Sequence, residues 1–186
     1  ITQSEVTIPD IYPEHYHIIK MYYNKLGVDF KFEHNSIVVP ANQELTVHAD
    51  IGEGIPVITD MIWPGFPSDL TSITVVMATQ VNGTVLIFEK LFDSRLFFTD
   101  KLVACGAKLV LCDPHRVVIS GPTKMNPVTV TSPDIRAGMS LLIATMLADG
   151  ESKIYNIRQI DRGYEKIDER LNKLGANIIR EDDQCQ

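Results

Sequence analysis

Residues Phe66–Arg95 read FPSDLTSITVVMATQVNGTVLIFEKLFDSR, and residues Thr131–Arg162 read TSPDIRAGMSLLIATMLADGESKIYNIRQIDR. Both stretches follow one order. A Pro close to an Asp leads into an apolar helix-like run, then a Gly, then a strand-like run, then Asp-x-Arg or Asp-Arg. Asp69 and Asp134 lie 65 positions apart, Gly83 and Gly150 67, and Arg95 and Arg162 67. Agreement at three landmarks marks an internal repeat.

The repeat continues past each Arg. DKLVACGAKLVL around Gly106 and EKIDERLNKLGANII around Gly175 are each an amphipathic segment ending in Gly-Ala before a strand-like run, 69 positions apart. A third copy of this second half stands near the start, where HYHIIKMYYNKLGVDFKF puts Gly27 in the matching place. The reading is one domain over 1–186, with an incomplete first unit 1–60, a second unit 61–125 and a third unit 126–186. A segment elsewhere in a longer chain is expected to complete the first unit.

The two helix classes of each unit differ. In the second class Tyr164, Ile167, Leu171 and Leu174 recur at helical spacing, as do Ile19, Tyr22, Tyr23 and Leu26, with charged residues opposite. The first class, 137–148 and 70–81, is small or apolar almost all round, and such a helix is enclosed by protein. Thr84–Phe88, Lys108–Leu111, Arg116–Ser120 and Ala176–Arg180 read as strands forming the wall. The expected fold is α/β, with repeated β/α units about a pseudo-threefold axis, helices inside and sheets outside. Ser132 and Ser68 are expected to cap the first-class helices. Gly27, Gly106 and Gly175 are expected to stop the second class in the left-handed conformation.

Composition narrows the function classes. The chain has 186 residues, 17 basic and 24 acidic, for a net charge of −7, and 45% of its residues are hydrophobic. That balance suits a globular domain and argues against nonspecific nucleic-acid binding. The 12-residue small-or-apolar run 137–148 is too short for a membrane span, which needs about 18 residues. The beginning shows no basic region followed by an apolar core, so no leader is read there. Cys105, Cys112 and Cys185 are odd in number and lack Cys-x-x-Cys spacing, which favours a reducing cytoplasm over a disulfide framework. His15 and His17, two apart, do not share a helix face, so no metal is expected, and with Gly-x-Gly-x-x-Gly and P-loop runs absent no cofactor is expected either.

The charged residues of the repeat are the candidates for chemistry. Asp69 and Asp134 start their helices, where an acid also complements the helix dipole. Arg95 and Arg162 follow the strands at equal distance, and Arg136 stands beside Asp134. Repeat symmetry would gather them on one rim, and Arg suits a two-pronged grip on carboxylate or phosphate. The competing reading is a structural ion pair within each repeat.

Phe66-Pro67-Ser68-Asp69, Asp93-Ser94-Arg95, Asp134-Ile135-Arg136-Ala137 and above all Asp161-Arg162-Gly163-Tyr164-Glu165 resemble the C-terminal half of the bacterial UDP-N-acetylglucosamine enolpyruvyl transferases. The likeness runs from about Trp63 to Arg180 and more weakly back to Tyr12. It is less close to the sister enzyme of the shikimate pathway. The resemblance implies transfer of enolpyruvate from phosphoenolpyruvate to the 3′-hydroxyl of UDP-N-acetylglucosamine, the step that opens peptidoglycan synthesis. It implies Asp69 as base and ligand of that hydroxyl, and Asp134 as the carboxylate near the enolpyruvyl carbon. Leu91 would be a backbone contact to the nucleotide, and Arg95, Arg136 and Arg162 the arginines around phosphoenolpyruvate. Ser68 and Ser94 stand where the family usually carries Thr and Asn. The family's N-terminal domain, with its mobile loop and its acid, has no counterpart here, so this chain alone is expected not to turn over. The alternatives are a non-catalytic sugar-nucleotide-binding module and the shikimate-pathway transferase.

Overall fold

The computed structural model describes residues 4–181; Cys185 lies outside them. β1 (Val6–Ile8), α1 (His17–Asn24), β2 (Lys31–Glu33) and β3 (Ser36–Val39) come first. Next are β4 (Val57–Thr59), α2 (Thr71–Ala78), β5 (Gly83–Phe88), α3 (Thr99–Ala104), β6 (Lys108–Asp113) and β7 (Arg116–Gly121). The chain closes with β8 (Thr129–Thr131), α4 (Ile135–Met146), β9 (Lys153–Tyr155), α5 (Arg158–Asp161) and α6 (Ile167–Asn172). Three sheets result, ordered β1-β3-β2, β4-β5-β7-β6 and β8-β9.

Parallel neighbours need a crossover, and the two first-class helices provide it. β4 pairs parallel with β5 around α2, and β8 pairs parallel with β9 around α4. The helices pack on each other. Thr71, Ser72, Thr74, Val75, Val76 and Ala78 of α2 are buried, as are residues 137–142, Ala144 and Thr145 of α4. Buried hydroxyls inside such helices need acceptors. Thr74 donates to the Leu70 carbonyl at 2.8 Å, Ser140 to Arg136 at 2.9 Å and Thr145 to Leu142 at 2.9 Å. Each turns its hydroxyl back on the preceding turn and is satisfied there, whereas the buried Thr71 and Ser72 hydroxyls find no partner among the described residues. Helices inside and sheets outside is the observed arrangement.

The second-class helices end alike. At Gly27, Gly106 and Gly175 the glycine N–H bonds the carbonyl three residues back, and the next N–H bonds the carbonyl five residues back. That pattern is the Schellman motif, and it needs a left-handed residue. Gly106 has φ of +99°, and a Cβ there would meet the Lys124 carbonyl oxygen at 2.9 Å, so glycine is required twice over.

Three expectations are corrected. Ser132 and Ser68 are not caps. Asp134 caps α4, its Oδ1 accepting from the N–H groups of Arg136 at 2.8 Å and Ala137 at 3.0 Å. Ser132 is buried and donates to the Asp134 carbonyl at 3.1 Å, while α2 has no side-chain cap. Ala176–Arg180 forms no strand. Ile178 is held instead through its N–H and carbonyl by the Asn172 side chain, both at 2.8 Å. Its counterpart β6 pairs with β7; Ala176–Arg180 pairs with no strand among the described residues. Leu174 leaves the apolar stripe and is 74% exposed, because α6 ends at Asn172 and Leu174 lies in the terminating turn. Asp134→Ala is expected to cost about 1 kcal/mol of stability through the lost cap, readable by urea denaturation.

Candidate functional site

The 3-10 turn Ser68–Leu70 leads into α2 and sets Asp69 in the open, its side chain 68% exposed. Two guanidinium groups meet it. Arg136, in the first turn of α4, donates through Nε to Asp69 Oδ1 at 2.5 Å. Arg95 approaches the same oxygen with Nη1 at 3.7 Å. Arg95 stands seven residues beyond β5 in an irregular turn, only 11% exposed, with its guanidinium 4.0 Å over the Phe92 ring. Stacking holds the planar group in one orientation and leaves its edge to bond. The Asp69–Arg136 pair joins positions 67 apart, in different repeats. Packing of α2 on α4 brings their starts together, so this pair crosses between repeats, while the Arg95–Asp69 pair stays inside one.

Asp134 is exposed and lies one helical start away. Both of its backbone bonds fall on Oδ1. Leu91 is 40% exposed in the turn that carries Arg95. Arg162 stands seven residues beyond β9, as Arg95 does beyond β5. Its guanidinium is exposed and donates to Gln159 at 3.1 Å. Its main chain thus has the equivalent place, while its side chain makes no bond to the Asp69 cluster among the described residues.

The run Asp161–Glu165 reaches the cluster through Tyr164. The ring packs beside Ile160 and Ile167, and burial together with the Asp69 charge pushes the phenol up, Arg136 opposing. Gly163 sits against Ile135 of α4, where a Cβ would lie 2.2 Å from Ile135 Cδ1. That close approach seats the run on the start of α4. Arg180 then ties it down, bonding both oxygens of Asp161 at 2.9 Å and those of Asp168 at 2.9 and 3.1 Å. The Arg180 charge and bonds hold both carboxyls below their ordinary range.

Sequence reasoning missed Tyr164 and Arg180 as neighbours of the site. It also missed two acids beneath it. Asp60, just after β4, is 1% exposed, and Glu89, just after β5, is fully buried. Ser68 donates to Glu89 at 3.0 and 3.2 Å to the two oxygens, and Arg95 Nη1 donates to the Ser68 hydroxyl. Burial first, then Asp60, push Glu89 from its ordinary 4.5 up to about 7, with Ser68 and Arg95 opposing. A raised folded value means that this group's contribution to stability is complete below about pH 4.5 and is lost as pH rises through about 7. Urea denaturation should therefore show lower stability at pH 8 than at pH 5.5.

Ser94 has φ of +63°, in the left-handed region. Asn tolerates that conformation better than Ser. Ser94→Gly is expected to raise stability by about 0.5–1 kcal/mol, measured by thermal unfolding.

No metal-binding group of His, Cys, Asp and Glu occurs among the described residues, and no helix there is long and apolar enough to cross a membrane.

Comparison with known proteins agrees with this architecture. A UDP-N-acetylglucosamine 1-carboxyvinyltransferase from Bradyrhizobium diazoefficiens is 49% identical over 180 residues, 97% of this chain and 42% of that protein. The protein of the same name from Borreliella burgdorferi is 51% identical over 178 residues, 96% of this chain and 42% of its own. The chain thus spans about two fifths of the length of these relatives. Among solved structures, the enolpyruvyl transferase NikO from Streptomyces tendae matches with a TM-score of 0.77 at 22% identity, over 93% of this chain and 39% of that one. EPSP synthase from Acinetobacter baumannii matches with a TM-score of 0.69 at 10% identity, over 98% of this chain and 41% of that one. These two share the fold. The EPSP synthase (3-phosphoshikimate 1-carboxyvinyltransferase) family model matches residues 1–183, and the chain belongs to that family.

Proposed function

We propose that this chain is the part of a UDP-N-acetylglucosamine carboxyvinyltransferase that bears the acceptor base and the anion-gripping arginines. The observation that carries the reading is the meeting on Asp69 of Arg95, from the same repeat, and Arg136, from the next. Two relatives near 50% identity with that name support the acceptor over shikimate 3-phosphate. In this reading the cluster is a self-neutralised resting state. Phosphoenolpyruvate brings carboxylate and phosphate, which compete for both guanidinium groups and draw them from Asp69. The freed carboxylate takes the proton of the sugar 3′-hydroxyl as the sugar oxygen adds to C2 of phosphoenolpyruvate, and C3 takes up a proton from an acid of the longer protein. C3 then gives up a proton as the C2–O bond to phosphate breaks, which restores the double bond and leaves the enolpyruvyl ether and free phosphate.

Asp134 Oδ2, at the head of α4, faces the reacting carbon in this reading. Arg162 turns from Gln159 to the bound anion, and Leu91 contacts the nucleotide through its backbone. A second domain of the longer protein closes over this face, removing water and strengthening each charged contact. No cofactor takes part. The product is a peptidoglycan precursor made in the cytoplasm, and neither nucleic acid nor membrane is a partner.

The test is phosphate release by the full-length protein with phosphoenolpyruvate and either acceptor. Release with UDP-N-acetylglucosamine and none with shikimate 3-phosphate is expected. The reverse preference would sink the assignment, and binding of the sugar nucleotide without release would leave the non-catalytic module. The 186-residue chain alone is expected to release no phosphate, since one wall of a cleft cannot enclose and align two substrates.

A further inference from the structure

Beneath the arginine cluster two carboxyl groups share a space too dry for two charges. β4 and β5 are parallel neighbours in register, Thr59 opposite Phe88, so the next residues, Asp60 and Glu89, lie side by side at the strand ends. Asp60 Oδ1 accepts the Lys90 N–H at 2.5 Å, while Oδ2 is buried with no donor as long as both groups are ionised. A buried oxygen without a donor is costly. One proton resolves the arrangement. Protonated Glu89 donates to Asp60 Oδ2 with one oxygen and accepts the Ser68 hydroxyl with the other. Ser68, its proton committed to Glu89, presents a lone pair to Arg95 Nη1. Every polar atom of the chain from Lys90 N to Arg95 then has a partner.

We propose that Asp60 and Glu89 share one proton and act as positioning residues: the pair fixes Ser68, and Ser68 aims the Arg95 guanidinium at the substrate face. The raised Glu89 value, to which burial and the neighbouring Asp60 both contribute, agrees with this. The groups around Glu89 are Asp60, Ser68, Arg95 and, on its backbone carbonyl at 2.8 Å, His115 Nδ1, whose Nε2 lies 3.1 Å from Asp93. Lys90 turns away over the Phe88 ring. Loss of the shared proton adds a second buried negative charge beside Arg95. The guanidinium is then drawn inward, and the grip on an anionic substrate weakens.

The kinetic consequence rests on the proposed transferase reading; the shared proton does not. Two measurements on the full-length protein separate them. Infrared spectroscopy should show a protonated-carboxyl band at pH 6 that titrates away near pH 7 and is missing in Glu89→Gln. In steady-state kinetics, KM for phosphoenolpyruvate should rise about tenfold between pH 6 and pH 8, one unit past the midpoint. In Glu89→Gln, whose amide keeps both hydrogen bonds without a titrating proton, KM should stay near the low-pH value of the parent and track pH only as the substrate does. An absent band, or the same alkaline rise in Glu89→Gln, overturns the proposal. Should the protein turn over neither acceptor, the transferase reading fails and the infrared result alone decides the shared proton. Should Glu89→Gln fail to fold, Asp60→Asn replaces it: loss of the band supports the pair, and persistence overturns it.

Discussion

Asp69→Asn in the full-length protein is expected to lower kcat about 10²–10⁴-fold, the range for a positioned general base, or about 3–5 kcal/mol in the barrier. The amide keeps the shape of the carboxylate and can still accept from Arg136, so the loss would isolate proton transfer from positioning. Stability should change by less than about 1 kcal/mol, because the side chain is 68% exposed and exposed ion pairs contribute little. Steady-state kinetics and urea denaturation on one preparation check both halves. A variant with near-normal kcat would remove Asp69 from the base role, and a large stability loss would make its pairing with Arg136 structural.

Phe66→Ala is expected to cost about 3–5 kcal/mol. Phe66 is fully buried, its ring 5.0 Å from that of Tyr22 and 6.2 Å from that of Tyr23, between α1 and the turn that precedes Asp69. Truncation removes aromatic contacts from both neighbours and leaves a cavity at the junction of the first and second repeats. The Phe66 carbonyl also accepts the Met61 N–H at 2.9 Å, so the ring anchors the loop that carries Ser68 and Asp69. Equilibrium denaturation should show the full loss, while Phe66→Leu should recover more than half of it. A cost below about 1 kcal/mol would mean that this junction is not packed as described.

What the sequence made legible follows from which interactions are local. The apolar runs around 70–81 and 137–148 and the glycines at 27, 106 and 175 announce helices and their ends, because periodicity and a left-handed residue act within a turn or two. α2 and α4 and all three Schellman stops appear where that reading puts them. Strand pairing is not local, and Ala176–Arg180 shows the consequence: its composition resembles that of β6, yet among the described residues it pairs with no strand. Caps fail for a subtler reason. Ser132 and Asp134 are both good capping residues two positions apart, and the choice falls to burial, which takes Ser132 into the core and leaves the acid at the helix start.

The site was legible to the same depth. Repeat spacing placed Asp69, Arg95 and Arg136 well enough to expect them near one another. Nothing local says that Arg136 reaches across to Asp69, since the 67-residue contact arises only when α2 packs on α4. Equivalent backbone places do not dictate equivalent rotamers, and Arg162 bonds Gln159 while Arg95 stacks on Phe92. Asp60 and Glu89 lie outside the repeat landmarks. Their one signal is that each directly follows a buried β-strand, and an acid there reads as a surface residue until the register of β4 on β5 sets the pair together.

The proposed function rests most directly on the partners of Asp69. A crystal structure of the full-length protein with phosphoenolpyruvate and UDP-N-acetylglucosamine is the measurement. Arg95 and Arg136 should be found on the phosphoenolpyruvate anion and Asp69 on the sugar 3′-hydroxyl, with the Asp69–Arg136 contact broken. Substrates bound elsewhere, with both arginines still on Asp69, would contradict it.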